Sequence, residues 1–159
     1  MLFPISDDDR HLIKPAYVTI SLAVANVLLF LYQIANPAFT YACSVIPLEI
    51  VKGIDLIEPV LLRSGGQLVE IPQAQGPSPI HLTLLSAMFM HGGWGHLLGN
   101  MLFLWIYGDN IENRLGHIRY LVFYLLCGIL ASLSHVFATQ LLTPQNMNIP
   151  SLGASGAIS

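Results

Sequence analysis

The chain has 159 residues, 54% of them hydrophobic and 9% charged, with a mean hydropathy of +0.65. Soluble domains carry roughly 25% charged residues, so this composition belongs to a bilayer. The formal net charge of -3 and the six scattered lysines and arginines supply no basic stripe to track phosphates, which excludes nucleic-acid binding. Cys43 lies in a polar connection and Cys127 within an apolar run, so two free thiols are expected.

In chain order, residues 16–35 predict the first spanning helix, because about 20 apolar helical residues cross a hydrocarbon core of roughly 30 Å. Asn36-Pro37 ends it. The run is longer than a signal-peptide core, and Asp7, Asp8 and Asp9 make its flank acidic rather than basic, so it reads as a retained span. Residues 36–93 form an outer loop with Glu49, Lys52, Asp55, Glu58, Arg63 and Glu70, the Gly65-Gly66 pair, and a proline-rich stretch from Pro72 to Pro79. Short mixed pieces such as Leu48 to Leu56 are candidate helices lying along the membrane surface. Gly92, Gly93 and Gly95 interrupt the apolar sequence around Trp94. A second span is expected over 94–115, stopped by Gly116, a third over 118–140, and the start of a fourth at about 154. Arg10, Lys14, Arg114 and Arg119 fall on one side if the N-terminus is cytoplasmic. His96 and Ser155 then lie near the outer face.

His96 and Asn100 are four residues apart, one turn along one helix face, and both can donate hydrogen bonds into one cavity. Polar side chains in membrane helices face partners or water, either in a functional site or as interhelical glue. Gly153-Ala-Ser155-Gly156 surrounds a hydroxyl with small residues at a helix start, which suits an accessible nucleophile or a small-residue packing patch. Together these groups make up what acyl transfer requires: an attacking oxygen, and donors for the oxyanion that develops. On residues alone the choice stays open.

The run from His91 through Gly92, Gly93, Trp94, Gly95 and His96 to Asn100, then Glu112-Asn113-Arg114-Leu115-Gly116, then Gly153-Ala154-Ser155-Gly156, resembles the rhomboid family of intramembrane serine proteases in order and spacing. The resemblance implies an all-α bundle of six membrane helices that cleaves transmembrane protein substrates in the bilayer through a Ser-His dyad, with no cofactor. It implies that Ser155 is the nucleophile, that His96 and Asn100 support the oxyanion with the Ser155 N–H, and that Gly153 lets the loop approach. His91 then braces the site, and Glu112 and Arg114 are structural.

The family's general base is a histidine on the sixth helix, and this sequence stops at Ser159. The 159 residues are therefore expected to form a single partial rhomboid-like domain, three transmembrane helices plus the start of a fourth, that lacks the base and is inactive alone. His11 and His117 fall on the cytoplasmic side and His81 in the loop, leaving His135 as the histidine whose depth suits a base. Competing readings are a non-catalytic protein of the same fold that binds client membrane helices, and a transporter piece lined by His96 and Asn100. A metalloprotease reading fails for want of a His-Glu-x-x-His run. The expected setting is a bacterial cytoplasmic membrane.

Overall fold

A computed structural model describes residues 15–64 and 67–158. Arg10, His11, Lys14 and the three aspartates therefore lie outside the described residues. Three long helices dominate: α1 (Tyr17–Ala35), α5 (Trp94–Leu115) and α6 (His117–Leu142). Between α1 and α5 come α2 (Pro37–Ala42), α3 (Pro47–Lys52), the antiparallel strands β1 (Val60–Ser64) and β2 (Gln67–Ile71), and α4 (Thr83–Ser86) flanked by 3₁₀ turns. The chain closes on α7 (Ser155–Ile158).

α1 and α6 are long and apolar enough to cross a membrane. α5 has 22 residues, a length of about 33 Å at 1.5 Å per residue, but is less apolar because Asp109, Glu112 and Arg114 fall in its last two turns. The bundle is inverted relative to a soluble one. Leu28, Leu98, Leu126 and Leu130 are exposed, while the buried stripe of α1 contains Thr19, Asn26 and Gln33 beside Leu22 and Phe30. In lipid the outside is the apolar side, and polar groups must be satisfied within the bundle.

One carboxylate does this for the start of α1. The first backbone N–H groups of a helix have no partner inside it, and α1 has no side-chain cap of its own. Glu112, on the last turn of α5 and 1% exposed, accepts from Val18 N at 2.9 Å, Thr19 N at 2.8 Å and Thr19 Oγ1 at 2.7 Å. It also accepts from His117 Nδ1 at 2.5 Å. A negative charge against a helix N-terminus is favoured by the helix dipole as well. Arg114, in the same last turn, places a positive charge at the C-terminal end of α5, where the dipole favours it.

Small residues set the helix spacing. A Cβ on Gly108 would stand 2.8 Å from Thr19 Cγ2 and 2.9 Å from the Tyr120 hydroxyl, so α1, α5 and α6 converge there. Gly128 makes room for Met88, and Gly156 lies against Ala131. The piece read as a surface helix over Leu48 to Leu56 is shorter, because Gly53 takes a left-handed φ of 65° and stops α3. The hairpin was not anticipated, although Gly65-Gly66 between two short apolar runs is a hairpin signal.

The outer loop buries Glu49, 2% exposed, which accepts from Leu56 N at 2.8 Å. Burial pushes its carboxyl up to about 6, against the pull of the Leu56 N–H and with a small contribution from nearby Asp55. A raised carboxylate takes up protons on folding, so the stability it contributes is full below its unfolded pKa and is lost as pH rises through about 6. The thermal transition in detergent is expected to fall by roughly 2–4 °C between pH 5 and pH 8, and Glu49→Gln is expected to flatten that slope. Glu112→Ala, which orphans the three donors of α1 at about 1 kcal/mol or more each and leaves half-exposed His117 to water, is expected to lower the transition by roughly 6–12 °C at constant pH. Glu112→Gln keeps one acceptor oxygen and is expected to lose less.

Candidate functional site

At the end of the bundle opposite Glu112, the break at Gly92-Gly93 starts α5 so that His96 and Asn100 fall in its first two turns. Gly92 N donates to His96 Nδ1 at 3.3 Å. With Nδ1 accepting, the proton of the neutral ring is on Nε2. That edge lies against the loop before α7: a Cβ on Gly153 would stand 2.5 Å from His96 Cε1, 2.7 Å from Nε2 and 3.6 Å from Ser155 Oγ. Gly153 has φ +127°, a left-handed conformation that glycine adopts without strain. Both the conformation and the contact demand a glycine, and both bring a His96 N–H donor beside the serine.

Asn100 is 7% exposed, and its Nδ2 is buried without a hydrogen-bond partner. An unpaired buried donor costs on the order of 1–3 kcal/mol, a cost that an acceptor arriving during a reaction would relieve. Ser155 is exposed at the first position of α7, and Ala154 behind it is fully buried.

The loop carrying Ser155 is held from outside its own sequence. Val45 and Ser151 pair in an antiparallel bridge, with N···O distances of 2.9 and 2.8 Å. Gly153 N donates to the Ala87 carbonyl at 2.9 Å, Leu48 N to the Met147 carbonyl at 2.9 Å, and Gln73 Nε2 to the Asn148 carbonyl at 3.2 Å. The outer loop thus positions the serine.

His91 is buried and sits edge-on to His96, with ring centroids 5.3 Å apart. Its N–H donates to Gln33 Oε1 at 3.0 Å, and its carbonyl accepts from Gln33 Nε2 at 3.2 Å. Burial lowers its imidazole to about 4, His96 adds to the shift, and the Phe89 carbonyl at 3.2 Å opposes it. The ring is therefore neutral at neutral pH. Gln33, on α1, went unrecognised in the sequence, yet it fastens the turn that leads into α5. Thr19, Asn26 and Gln33 recur every seven residues in an otherwise apolar run, which marks one helix face and was the available signal.

A cavity of about 200 Å³ adjoins Ser155, lined by Ala87, Ser132, His135, Ser151 and Gly153 among others. His135 therefore shares a cavity with the serine, whereas His117 is bound to Glu112 at the other end and His81 lies in the 3₁₀ turn beside Gly53. Among the described residues no group of three histidine, cysteine, aspartate or glutamate side chains could hold a metal ion.

Residues 81–159 match the rhomboid domain. Rhomboid-like protein 11, chloroplastic, of Arabidopsis thaliana is 35% identical over 80 residues, 50% of this chain and 26% of that protein. Rhomboid protease GluP of Bacillus subtilis (strain 168) is 41% identical over 76 residues, 47% of this chain and 13% of that protein. RHOMBOID-like protein 2 of Arabidopsis thaliana is 41% identical over 76 residues, 47% of this chain and 22% of that protein. The chain thus spans about a quarter or less of these relatives. No solved structure matches.

Gln33→Leu would orphan the His91 N–H and carbonyl and is expected to cost about 2–4 kcal/mol. A fall in the thermal transition in detergent of roughly 4–12 °C is the corresponding readout.

Proposed function

The chain belongs to the rhomboid family of integral membrane proteins, and from that premise we propose that it carries the nucleophile and oxyanion site of an intramembrane serine endopeptidase acting on transmembrane protein substrates. The observation that carries this reading is Gly153, where an added Cβ would stand 2.7 Å from His96 Nε2 and 3.6 Å from Ser155 Oγ, with the buried and unpartnered Asn100 Nδ2 on the next turn of the His96 helix.

In this reading Ser155 Oγ attacks the scissile carbonyl, and the oxygen that becomes negative is received by His96 Nε2–H, Asn100 Nδ2–H and the Ser155 N–H. Donors already fixed for that charge need no reorganisation when it forms, which is how such sites lower a barrier. His91 stays neutral and acts as a brace, so it places no positive charge beside His96. The base that takes the Ser155 proton is, by family pattern, a histidine of a sixth helix in the whole protein. His135 is a second candidate, supported by its place on the wall of the Ser155 cavity. The N-terminus is placed on the cytoplasmic side, where Arg114 and Arg119 satisfy the positive-inside rule.

Labelling with a serine-directed fluorophosphonate tests the reading, on protein that includes the sixth helix and on the 159 residues alone. Labelling of the longer form is expected to vanish in Ser155→Ala, to slow by roughly 10²- to 10³-fold in Asn100→Ala, and to survive in His135→Ala. Labelling of the shorter form that depends on His135 would assign the base to that residue. Folded protein that does not label in either form would favour a non-catalytic protein that binds client membrane helices.

A further inference from the structure

At the end of α1 farthest from Glu112 a second cavity opens, about 460 Å³ in volume, with Phe30, Thr40, Tyr41, His91 and Trp94 in its wall. Among the described residues no charged side chain lines it. Phe30 meets Trp94 edge-on with ring centroids 5.0 Å apart, and His91 likewise at 6.2 Å, so the three rings stand together in the wall. His91 Nδ1 faces the Phe89 carbonyl at 3.2 Å, and a carbonyl only accepts, so the proton of this neutral ring is on Nδ1. Its Nε2 is then a bare acceptor, buried without a partner in a residue 3% exposed. A hydrogen-bond donor is what this wall lacks.

Another part of the same wall favours the opposite charge. Gly92, Gly93 and Trp94 line the cavity where α5 starts, and α5 has no side-chain cap. Its first N–H groups have no partner inside the helix, and the dipole of a 22-residue helix favours an anion at this end. Aromatic faces and a lone pair on one side, with open N–H groups on the other, suit a ligand that carries a cation and an anion a few bonds apart. The lipid-facing surface leads to such a ligand. Val24, Val27, Leu28, Leu31 and Ile34 are exposed along α1 at helical spacing, and Ile34 lies in the cavity wall, so an apolar track runs from the bilayer to the cavity. Tyr32 and Trp94 are exposed at this level, as aromatic side chains are where hydrocarbon meets water.

We propose that this cavity is a binding site for a zwitterionic phospholipid with a primary ammonium headgroup, of the phosphatidylethanolamine class. The ammonium lies among Phe30, Tyr41 and Trp94 and donates to His91 Nε2, while the phosphate accepts from the first N–H groups of α5. The acyl chains follow Val27, Leu31 and Ile34. A quaternary ammonium has no N–H to give, and an anionic headgroup without an amine leaves His91 Nε2 unmet, so both classes bind less well. The cavity adjoins the turn that leads to His96, whose Nδ1 accepts from Gly92 N at 3.3 Å, so the bound lipid bears on that turn. The proposal rests on the membrane setting and not on the protease reading.

The sequence has two tryptophans, so Trp105→Phe, at an exposed position, leaves Trp94 in the cavity wall as the single tryptophan reporter. That protein is placed in phosphatidylcholine vesicles containing a fixed minor fraction of one lipid brominated on its upper acyl chain. Brominated phosphatidylethanolamine is expected to quench Trp94 at least about two-fold more strongly than brominated phosphatidylcholine at the same fraction, and brominated phosphatidylglycerol no more than phosphatidylcholine. Tyr41→Leu, which removes a ring from the wall, and Ile34→Phe, which fills the cavity from an exposed position, are each expected to abolish the excess. A thermal transition within a few degrees of the parent shows that each variant is folded. Equal quenching by the three lipids would overturn the proposal, as would an excess that survives both substitutions, which would put the amine-selective contact elsewhere. Strongest quenching by phosphatidylglycerol would overturn it too, showing a site for an anionic headgroup alone.

Discussion

A helix that starts inside a membrane protein has to find partners for its first N–H groups, and in this chain another helix supplies them. Glu112 receives the backbone of Val18 and Thr19 together with the Thr19 hydroxyl, and so fixes where α1 stands against α5. Gly108, one turn earlier, lets the two helices close on each other and on Tyr120. From that fixed end α1 rises fourteen residues from Thr19 to Gln33, about 21 Å, to the turn that begins α5. Gln33 then takes both backbone groups of His91. A carboxylate at one end of the bundle and an amide at the other hold α5 in register, and His96 and Asn100 are carried by it.

The serine side of the site is built on different supports. α7 has four described residues, too few to position a nucleophile by helical stiffness alone. Its approach is set by the bridge of Val45 to Ser151, the Gly153 N–H on the Ala87 carbonyl, and the fit of Gly156 against Ala131. The outer loop is thus a working part of the site. Its pairing with the loop at 147–151 joins the position of Ser155 to the packing of Ile50 against Val45, Ala87 and Val136.

Polar groups inside the bundle divide into two kinds. Thr19, Gln33 and Glu112 are satisfied and structural, since each of their bonds replaces one that water would have made. Asn100 Nδ2 is buried and unpaired one turn from His96, at the one place where a negative oxygen is proposed to form. Asn26 Oδ1 and His91 Nε2 are buried without partners as well, so what marks Asn100 is its place one turn from His96 together with its unpaired donor.

The sequence by itself determined the three long helices, because spanning lipid demands apolar runs near twenty residues, and the Gly92-Gly93 break and Gly116 mark the ends of α5. Through the order and spacing of His91, His96, Asn100, Gly153 and Ser155 it carried a family resemblance that put these residues forward as a candidate set. The tertiary structure decided what holds them. Gln33 clamps His91 across 58 residues, Val18 and Thr19 reach Glu112 across more than ninety, and Ser151 pairs with Val45 across the whole bundle. Such contacts depend on which helix faces meet, and no local pattern encodes that meeting. It also brought His135, which its depth along the third long helix had singled out in the sequence, to the wall of the Ser155 cavity.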